Sequence, residues 1–388
     1  DYDKDGDLDM YLVNHRPDFK NNSKIDSNIQ RAIYEESSDQ LFRNDGTVFT
    51  KVTQQAGMLN KAWGLSAVIG DFNNDDWPDV YVANDYLEPD ILYINNKNGS
   101  FSNEVRARMK HISFNSMGSD FADINNDGYQ DLIVLDMLAE DHSRGKENMA
   151  SMSTENFNTM VNVGYHRQYM ANILQLNNRN GNFSDIGQLS GITKTDWSWA
   201  PLLADFDNDG FKDLFITNGI EKDLGNQDFR RNIQALNSKN KVMKLEDVLN
   251  MIPAEKLPNY IFKNNGDLTF SNKIEDWGLN QPVNSNGAAY ADFDNDGDLD
   301  LIVNNVNDPI GLYQNNANNN YLQVYLKGPE NNLLGIGTSV FVIQQDKTQF
   351  QKLYLARGFQ SSVPDILNLG LGAEANIDEV IVEWPDGK

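Results

Sequence analysis

The sequence opens with Asp1-Tyr2-Asp3-Lys4-Asp5-Gly6-Asp7-Leu8-Asp9, the first of five copies of the pattern D-x-[DN]-x-D-[GD]-x-x-D. The other copies begin at Asp71, Asp123, Asp205 and Asp292, and in all five the side chains at positions 1, 3, 5 and 9 offer an oxygen atom. Such spacing folds a short loop around one hard cation, and Ca²⁺ takes about six to eight oxygen ligands. One match arises easily by chance, whereas five matches in one chain predict five calcium loops.

The predicted metal ligands are the residues at positions 1, 3, 5, 7 and 9 of these loops, which we number 1 to 5. They are Asp1, Asp3, Asp5, Asp7 and Asp9; Asp71, Asn73, Asp75, Trp77 and Asp79; Asp123, Asn125, Asp127, Tyr129 and Asp131; Asp205, Asp207, Asp209, Phe211 and Asp213; and Asp292, Asp294, Asp296, Asp298 and Asp300. Asn73 and Asn125 lower the charge of loops 2 and 3, which predicts weaker sites there. Asp76 replaces Gly at position 6 of loop 2, where a left-handed backbone is harder for it to adopt. A full set of protein ligands leaves little room for substrate, so we expect about five structural Ca²⁺ ions and no catalytic metal.

The main alternative for such a loop is the EF-hand, which begins in the same way but needs a bidentate Glu at position 12 and a helix on each side. Position 12 holds apolar residues instead: Leu12, Val82, Val134, Ile216 and Val303. The residues after position 9 form short β-branched and aromatic runs that end in Asn or Asp, which is typical of strands. The sequence therefore predicts that each metal loop lies in a turn that leads into a strand.

A second signature follows each loop and ends in Asn44, Asn95, Asn177, Asn264 or Asn315. The first four copies continue through a Gly turn to a Phe, which predicts a β-hairpin. The distance from each signature Asn to the next loop is 27 or 28 residues, and the shortest full repeat spans 52 residues. Four short strands fit into such a period, so the predicted fold class is all-β, with the loops carried by a β-propeller.

The repeat varies in length only between the metal loop and the signature Asn. The additional residues occupy roughly 15–40, 137–172 and 219–259. Because one type of connection lies on one face of a propeller, all three insertions are expected on the same face. Apolar residues recur with helical spacing over 228–252, which predicts helices within the third insertion. Loops that vary on a constant scaffold carry function, so we expect ligand binding on this face.

Composition excludes several classes of partner. The chain of 388 residues has 32 basic and 57 acidic residues and a formal charge of −25, which argues against nucleic acid and anionic membrane surfaces as partners. No segment approaches the roughly 18 apolar residues of a membrane span. There is no cysteine, so disulfides do not indicate a compartment, whereas many calcium loops favour a location outside the cytosol. The chain begins within a metal loop and ends on a turn, so we expect an incomplete propeller and leave open a signal peptide or lipid anchor upstream.

The loops and their flanking strands resemble the FG-GAP or VCBS repeats of integrin-α-like β-propellers. The residues after about 320 resemble the ASPIC/UnbV domain through Gly335-Ile336-Gly337-Thr338, Arg357-Gly358-Phe359-Gln360-Ser361, Leu369-Gly370-Leu371-Gly372 and Val382-Glu383-Trp384-Pro385-Asp386-Gly387. The layout is similar to that of large bacterial surface proteins and of cartilage acidic protein. The resemblance implies a propeller of about seven blades at 1–320, followed by a small β domain at 321–388. It also implies an extracellular or outer-surface location.

Other candidate residues give weaker signals. The histidines are scattered and include no metal-binding pair: they are His15, His111, His142 and His166. Trp197 and Trp199 point to the same side of a strand, where packing is the first interpretation and a sugar-stacking platform the second. The insertions contain basic side chains that are expected to be solvated unless they converge on an anionic group. These are Arg144, Lys146, Arg167, Arg230 and Arg231.

These features predict a secreted or surface-exposed, calcium-stabilised binding or adhesion module, with a protein or glycan ligand on the insertion face. By analogy with the family, it would be an accessory subunit of an outer-membrane glycan-uptake complex. Two alternatives stay open: a carbohydrate-active hydrolase or lyase on the same propeller, and a structural subunit of a surface complex. Carboxylates with raised pKa values in a deep channel would favour the enzyme, and an aromatic or apolar patch on the insertion face would favour the binder. No spacing singles out a catalytic carboxylate pair or nucleophile, so the prediction is that the protein is not an enzyme.

Overall fold

The computed structural model describes residues 1–16, 24–33, 35–61, 63–148, 153–238 and 243–387. Across these residues the chain is mostly β, as predicted, and its strands form five successive antiparallel sheets followed by a smaller group of strands. None of the described helices is long and apolar enough to cross a membrane. The series of similar antiparallel sheets is propeller-like, while a closed ring of about seven blades stays a prediction.

Each of the five sheets forms one repeat, and we number the repeats 1 to 5. Repeat 1 contains β1 (Met10–Leu12), β2 (Gln40–Asn44) and β3 (Phe49–Lys51), and repeat 2 contains β4 (Gly64–Gly70), β5 (Asp79–Asn84), β6 (Ile91–Asn95) and β7 (Phe101–Asn103). Ahead of repeat 3, β8 (Ile112–Ser113) pairs in parallel with the later β11 (Gln168–Tyr169). Repeat 3 contains β9 (Ser119–Ala122), β10 (Asp131–Val134), β12 (Ile173–Asn177) and β13 (Phe183–Asp185). Repeat 4 contains β14 (Ser198–Ala204), β15 (Asp213–Asn218), β16 (Tyr260–Asn264) and β17 (Phe270–Asn272), and repeat 5 contains β18 (Ser285–Ala291), β19 (Asp300–Asn305) and β20 (Gly311–Tyr313).

Short helices occupy the connections between strands. They are α1 (Ser27–Arg31), α2 (Val105–Arg108), α3 (His142–Asn148), α4 (Thr154–Val163), α5 (Gly187–Ser190), α6 (Gln227–Ser238) and α7 (Leu245–Asn250). The last two confirm the helical pattern expected over 228–252, of which residues 239–242 lie outside the described part of the chain. The cap of α4 is Ser153, whose side chain accepts a hydrogen bond from the N–H of Asn156, and the helix ends at Gly164. Such caps satisfy backbone groups that a helix end leaves without a partner.

The strands of each repeat follow one another as a meander, and this order separates two sides of the molecule. In repeats 2 to 5 the metal loop joins the first strand to the second. The second and third insertions join the second strand to the third in repeats 3 and 4, and the first insertion joins β1 to β2 in repeat 1. In an antiparallel sheet these two connections lie at opposite ends, which we call the loop side and the insertion side. The first strands of repeats 2 to 5, namely β4, β9, β14 and β18, contact one another in that order.

The apolar core lies between adjacent repeats, and position 2 of a metal loop contributes to each layer. Tyr2, Phe72, Ile124 and Phe206 are 0 to 7% exposed and belong to four separate buried clusters. Phe72 stacks on Phe121 of the next repeat, with ring centroids 4.1 Å apart. Truncating such a buried aromatic side chain to Ala costs about 3–5 kcal/mol. The shape of each of these loops is therefore coupled to the packing of two repeats.

The residues after repeat 5 form a small β unit, which we call the C-terminal unit. Here β21 (Asn320–Tyr325) pairs with β26 (Ile366–Gly372), and β22 (Ser339–Gln344) pairs with both β23 (Lys347–Lys352) and β27 (Glu379–Glu383). A 3₁₀ turn at Glu330–Asn332 precedes β22. A further hairpin, β24 (Ala356–Arg357) and β25 (Ser361–Ser362), is separate from these sheets. The domain boundary between 320 and 321 stays a prediction.

Candidate metal centres

Each metal loop is shaped by hydrogen bonds to its own carboxylates. In loops 2 to 5 the carboxylate at position 1 accepts the N–H groups of positions 5 and 6. In loop 4, Asp205 accepts them from Asp209 at 3.0 Å and from Gly210 at 2.8 Å. The equivalent distances in loops 2, 3 and 5 lie between 2.7 and 3.1 Å. The carboxylate at position 5 accepts the N–H of position 7 in all five loops.

Two residues of every loop adopt a left-handed backbone conformation. Position 4 has φ between 54° and 61°, and position 6 has φ between 67° and 102°. The lowest value at position 6 belongs to Asp76, so loop 2 keeps the turn although it lacks the Gly of the other loops. The sequence analysis missed position 4. Asn stands there in four of the five loops, and Asn tolerates this conformation better than most residues, so the signal was present.

The carboxylate at position 9 joins the metal loop to the third strand of the same repeat. In loop 2, Asp79 accepts the N–H of Phe72 at 2.9 Å through one oxygen and the N–H of Asn95 at 2.8 Å through the other. The same pair of bonds is present in the other four loops. Each carboxylate oxygen has a second lone pair, so position 9 remains able to bind a cation.

The side chain of the signature Asn joins neighbouring repeats. Nδ2 of Asn95 donates to the backbone oxygen of Tyr2 in loop 1 at 2.8 Å. In the same way Asn264 reaches loop 3 at 2.8 Å, and Asn315 reaches loop 4 at 2.6 Å. The sequence analysis used this Asn only as a marker of the repeat. The structure shows that it positions two metal loops at once.

The side-chain oxygen at position 3 is the strongest indication that the loops hold a cation. Oδ1 of Asp3, Asn73, Asn125 and Asp207 is hidden from solvent and has no hydrogen-bond donor among the described residues. A buried oxygen without a partner is costly, and a cation among the loop oxygens would supply the missing contact. Carboxylate and amide oxygens are the ligands that Ca²⁺ takes in proteins. The residues of these loops therefore fit a hard cation.

The structure brings the predicted side-chain ligands together in three of the five loops. Carboxylate oxygens within 4.8 Å of one another belong to Asp1, Asp3 and Asp5, to Asp205, Asp207 and Asp213, and to Asp292, Asp294 and Asp300. Loops 2 and 3 have Asn at position 3, so one of their ligands would be an amide oxygen. Trp77 and Phe211 at position 7 have no side-chain oxygen and could bind a cation only through the backbone. The ligand set as a whole stays a prediction.

Burial raises the pKa of several loop carboxylates. The pKa rises to about 6 for Asp123 and Asp205 at position 1, mainly because burial disfavours the charged form. For Asp79 at position 9 the same cause raises the pKa to about 7. A nearby dication favours the ionised form of a carboxylate. Metal binding would therefore ionise groups that otherwise hold a proton near neutral pH.

The family model of the FG-GAP-like repeat matches residues 1–82, 71–134, 161–216 and 247–303, which together make up more than half of the chain. The chain belongs to the FG-GAP-like repeat family. The model of ASPIC and UnbV matches residues 328–388, which confirms the second resemblance. A search of curated proteins finds no match to the chain. FG-GAP repeats are typically calcium-binding and common in extracellular or surface proteins, so the two matches suggest a surface or adhesion-type module.

In three FG-GAP-like repeats a basic side chain contacts the metal loop. Lys97 lies 3.2 Å from a carboxylate oxygen of loop 2, and Arg179 lies 2.9 Å from one of loop 3. Lys263 contacts the carboxylates at positions 3 and 5 of loop 4. A metal ion in these loops would share its ligands with a cation of the protein itself, most closely in loop 4.

The insertion side contains a buried arginine whose environment the sequence analysis misjudged. Arg144 of α3 was expected to be solvated, but its side chain is only 10% exposed. Its guanidinium contacts both oxygens of Asp196, at 2.5 and 3.0 Å, and both oxygens of Asp223, at 2.8 and 3.0 Å. It also donates to Glu255 at 2.9 Å. Asp223 and Glu255 belong to the third insertion, so this one side chain joins the second and third insertions of the FG-GAP-like repeats.

Trp197 and Trp199 lie at the insertion-side end of β14 and are partly buried. Trp199 donates through Nε1 to the backbone oxygen of Gly219 at 2.8 Å. Its ring packs on Phe359 of the C-terminal unit, with centroids 4.9 Å apart. These contacts favour packing over a sugar-stacking platform for Trp199.

The described histidines take no part in a metal-binding group. His111 lies 2.9 Å from a carboxylate oxygen of Asp185. His166 is buried, and burial lowers its pKa to about 4. The ring of His15 packs edge-on against Trp63, with centroids 5.4 Å apart. These three side chains thus contact other parts of the protein.

Proposed function

We propose that the protein is a binding or adhesion module of the cell surface, built on a propeller of about seven blades that about five Ca²⁺ ions stabilise. Its ligand, a protein or a glycan, would bind on the insertion side. The observation that carries the proposal is the contact of Arg144 with Asp223 and Glu255, which makes one surface from two insertions. By family analogy, the module would be an accessory subunit of an outer-membrane glycan-uptake complex.

Exposed apolar side chains on the insertion side support a binding role. Leu224 is 55% exposed, Leu245 72% and Leu249 47%, and all three lie in the third insertion. Removing one partner from a buried ion pair costs about 3–5 kcal/mol, so Arg144 gives this segment a defined position. Exposed apolar side chains on a positioned segment are typical of surfaces that bind a partner.

An enzymatic function on the same scaffold receives less support. The carboxylates whose pKa burial raises have structural partners: Asp136, with a pKa of about 7, accepts bonds from Ser113, Phe114 and Asn115. A cavity of about 600 Å³ lies between β1, β4 and the hairpin β24–β25, and the carboxylates among its lining residues belong to loop 1. No free pair of carboxylates thus faces this cavity among the described residues. We therefore propose a non-catalytic module.

The assignment of the binding face is tested by replacing residues 227–250, the span of α6 and α7, with a short Gly-Ser linker. This variant keeps Asp223 and Glu255 for Arg144, so it should fold with the same calcium dependence as the parent. Binding to a glycan array and to an outer-membrane protein extract should be lost. Asn98→Ala, in an exposed hairpin turn of the loop side, is the control and should bind normally. Binding that survives the deletion, or that disappears in the control, would contradict this assignment.

A further inference from the structure

The hairpin β24–β25 lies outside the sheets of the C-terminal unit and contacts the first strands of repeats 3, 4 and 5. Ser119 of β9 and Gly358 exchange two backbone hydrogen bonds, at 3.1 and 3.3 Å. In addition, β24 contacts β14 and β25 contacts β18. The C-terminal unit thus places its own backbone where the first strands of three repeats meet.

A buried ion pair holds the hairpin in this place. Nη1 of Arg357 donates to Oδ1 of Asp120 at 2.8 Å, and the two side chains are 12% and 3% exposed. Asp120 belongs to β9, and its other oxygen accepts the N–H of Leu203 in β14 at 2.7 Å. A single carboxylate therefore joins two repeats and the hairpin.

The backbones approach so closely that side chains would not fit. A Cβ atom on Gly118 would lie 3.1 Å from the backbone oxygen of Gly358, and one on Gly287 would lie 2.7 Å from Oγ of Ser361. Gly358, at the turn of the hairpin, has a φ of 68°. Glycine permits both the close approach and the left-handed turn. The two parts of the chain are therefore fitted to each other at several independent positions.

The hairpin extends from the loop side towards the insertion side. At its base, the flanking residues Tyr354 and Val363 line one cavity together with the position-1 carboxylates of loops 3 and 4, Asp123 and Asp205. At its tip, Phe359 packs on Trp199 near the start of β14. Trp199 in turn donates to Gly219, the first residue of the third insertion. The hairpin therefore spans the distance from the metal loops to the base of an insertion.

We propose that the hairpin is a strap that holds the first strands of repeats 3 to 5 together and fixes the position of the base of the third insertion. The C-terminal unit, which contacts the loop side, is thereby required for an ordered insertion side. This role depends neither on the identity of the ligand nor on the occupancy of the metal loops. It gives the ASPIC/UnbV unit a task within the repeat array instead of a separate binding activity.

The strap is tested by hydrogen exchange on the full chain with Arg357→Ala. Exchange of the amides in β9, in β14 and at residues 219–226 should accelerate by roughly tenfold or more, because the buried partner Asp120 is left without its cation. Amides of β5 and β6 in repeat 2 should exchange as in the parent. Arg43→Ala, which removes a more exposed ion pair in repeat 1, is the matched control and should leave all of these segments unchanged.

Three outcomes would overturn the proposal. Acceleration limited to residues 328–387 would mean that the hairpin merely rests on the repeats. Acceleration of equal size in every repeat would mean a general loss of stability. If Arg357→Ala does not fold, Arg357→Lys replaces it, because Lys keeps the charge but lacks the planar fork of donors. Arg357→Lys should accelerate exchange in the same segments as expected for Arg357→Ala, but by a smaller factor. Exchange equal to that of the parent protein would also overturn the proposal.

Discussion

Loops 4 and 5 have the same residues at positions 1 to 6, beginning at Asp205 and Asp292, yet their surroundings differ. Their internal geometry agrees, because the carboxylate at position 1 accepts its two N–H groups at 2.8 and 3.0 Å in loop 4 and at 3.0 and 3.1 Å in loop 5. Phe206 at position 2 is 4% exposed, whereas its counterpart Phe293 is 49% exposed. Local sequence thus determines the shape of the turn, and the other segments of the protein that pack against it determine how deeply it is buried.

Loop 4 has neighbours on three sides. Asn126 of loop 3 donates to its backbone at 2.9 Å, and Asn208 of loop 4 donates to the backbone of loop 5 at 3.2 Å. The C-terminal unit covers it so closely that a Cβ atom on Gly370 would lie 2.2 Å from Oδ2 of Asp205. Among the described residues no further repeat packs on loop 5 in the way that repeat 5 packs on loop 4.

The two loops also differ in the side chain that precedes the signature Asn. In loop 4 this residue is Lys263, whose ammonium group contacts Asp207 and Asp209. In loop 5 it is Gln314, whose neutral amide donates to Asp294 at 2.6 Å. Loop 4 therefore contains a cation of its own, whereas loop 5 depends more on a bound metal to offset its carboxylates.

Among the changes considered, removal of calcium should have the largest effect on the stability of the fold. Metal analysis of the dialysed protein should find about five Ca²⁺ per chain, and clearly more than about three, given five oxygen-rich loops. Each site saturated at 100 times its Kd stabilises the fold by about 2.7 kcal/mol, so the metal-free protein should melt many degrees lower. Hydrogen exchange of that protein should be fastest in loop 5 and slower in loop 4. A protein that contains mainly zinc, or no metal, would contradict the first part, and equal exchange in the two loops would contradict the second.

The stabilisation by calcium should depend on pH. In the metal-free fold the pKa is about 6 for Asp205 and about 7 for Asp79, against about 3.9 for an unfolded chain. The raised values mean that these groups favour folding below about pH 4, and that this contribution is lost as the pH rises through about 6 to 7. Calcium removes the loss by binding the ionised groups, so the difference in Tm between loaded and metal-free protein should grow from pH 5 to pH 8.

For this experiment a chelator removes the metal at neutral pH and is then itself removed, because protons weaken chelators at low pH. Asp90 and Asp136 are buried carboxylates outside the loops, and burial raises the pKa of each to about 7. They contribute equally to the loaded and the metal-free protein and therefore cancel in the difference. A difference in Tm that stays constant across this pH range would exclude the loop carboxylates as its source.

Single substitutions at position 3 should have different effects in loops 4 and 5 when the metal is absent. In the presence of Ca²⁺, both Asp207→Ala and Asp294→Ala should lower the metal content by one ion per chain and lower the Tm. In the metal-free protein only Asp207→Ala should destabilise, by about 1 kcal/mol, because it removes a partner of Lys263. Asp294→Ala should be neutral or slightly stabilising there, since it relieves repulsion among carboxylates. Equal effects of the two substitutions in the metal-free protein would contradict the difference between the loops.

The parts of this structure that the sequence predicted are those with a local cause. The metal turns, the strands after them and the Gly hairpins each depend on residues within a few positions of one another. The helices at 227–250 follow from a local pattern as well. The signature Asn could have been assigned its role, because its distance from the next loop hardly varies while the other connection varies widely.

The remaining features depend on residues that are distant in sequence. Arg144 meets Asp196 across 52 positions and Asp223 across 79, and Arg357 meets Asp120 across 237. The sequence around a basic residue does not indicate which carboxylate will pair with it or whether the pair will be buried, since exposed and buried arginines have the same local sequence signals. The difference in burial between loops 4 and 5 was not predicted for the same reason, because it arises from packing by other segments.

The smallest expected effect comes from exchanging the side chains that precede the signature Asn. Lys263 is 27% exposed, so its charge is partly screened, and Lys263→Gln should raise the calcium affinity of loop 4 by about tenfold or less. Gln314→Lys should lower the affinity of loop 5 by a similar factor, because the new ammonium group competes for the same carboxylates. Lys273→Gln, which removes an exposed pair with Asp276, is the control and should change neither loop.

The double variant is the sharpest form of this test. If the charge at this position distinguishes the loops, Lys263→Gln combined with Gln314→Lys should exchange their order of affinity and leave the total number of bound ions unchanged. If burial distinguishes them instead, loop 4 will keep its own affinity in every variant, because its neighbours Asn126 and Gly370 are untouched. Calorimetric titration of the four proteins decides between these outcomes, since the exchange moves the positive charge from loop 4 to loop 5 and leaves the burial of both loops unchanged.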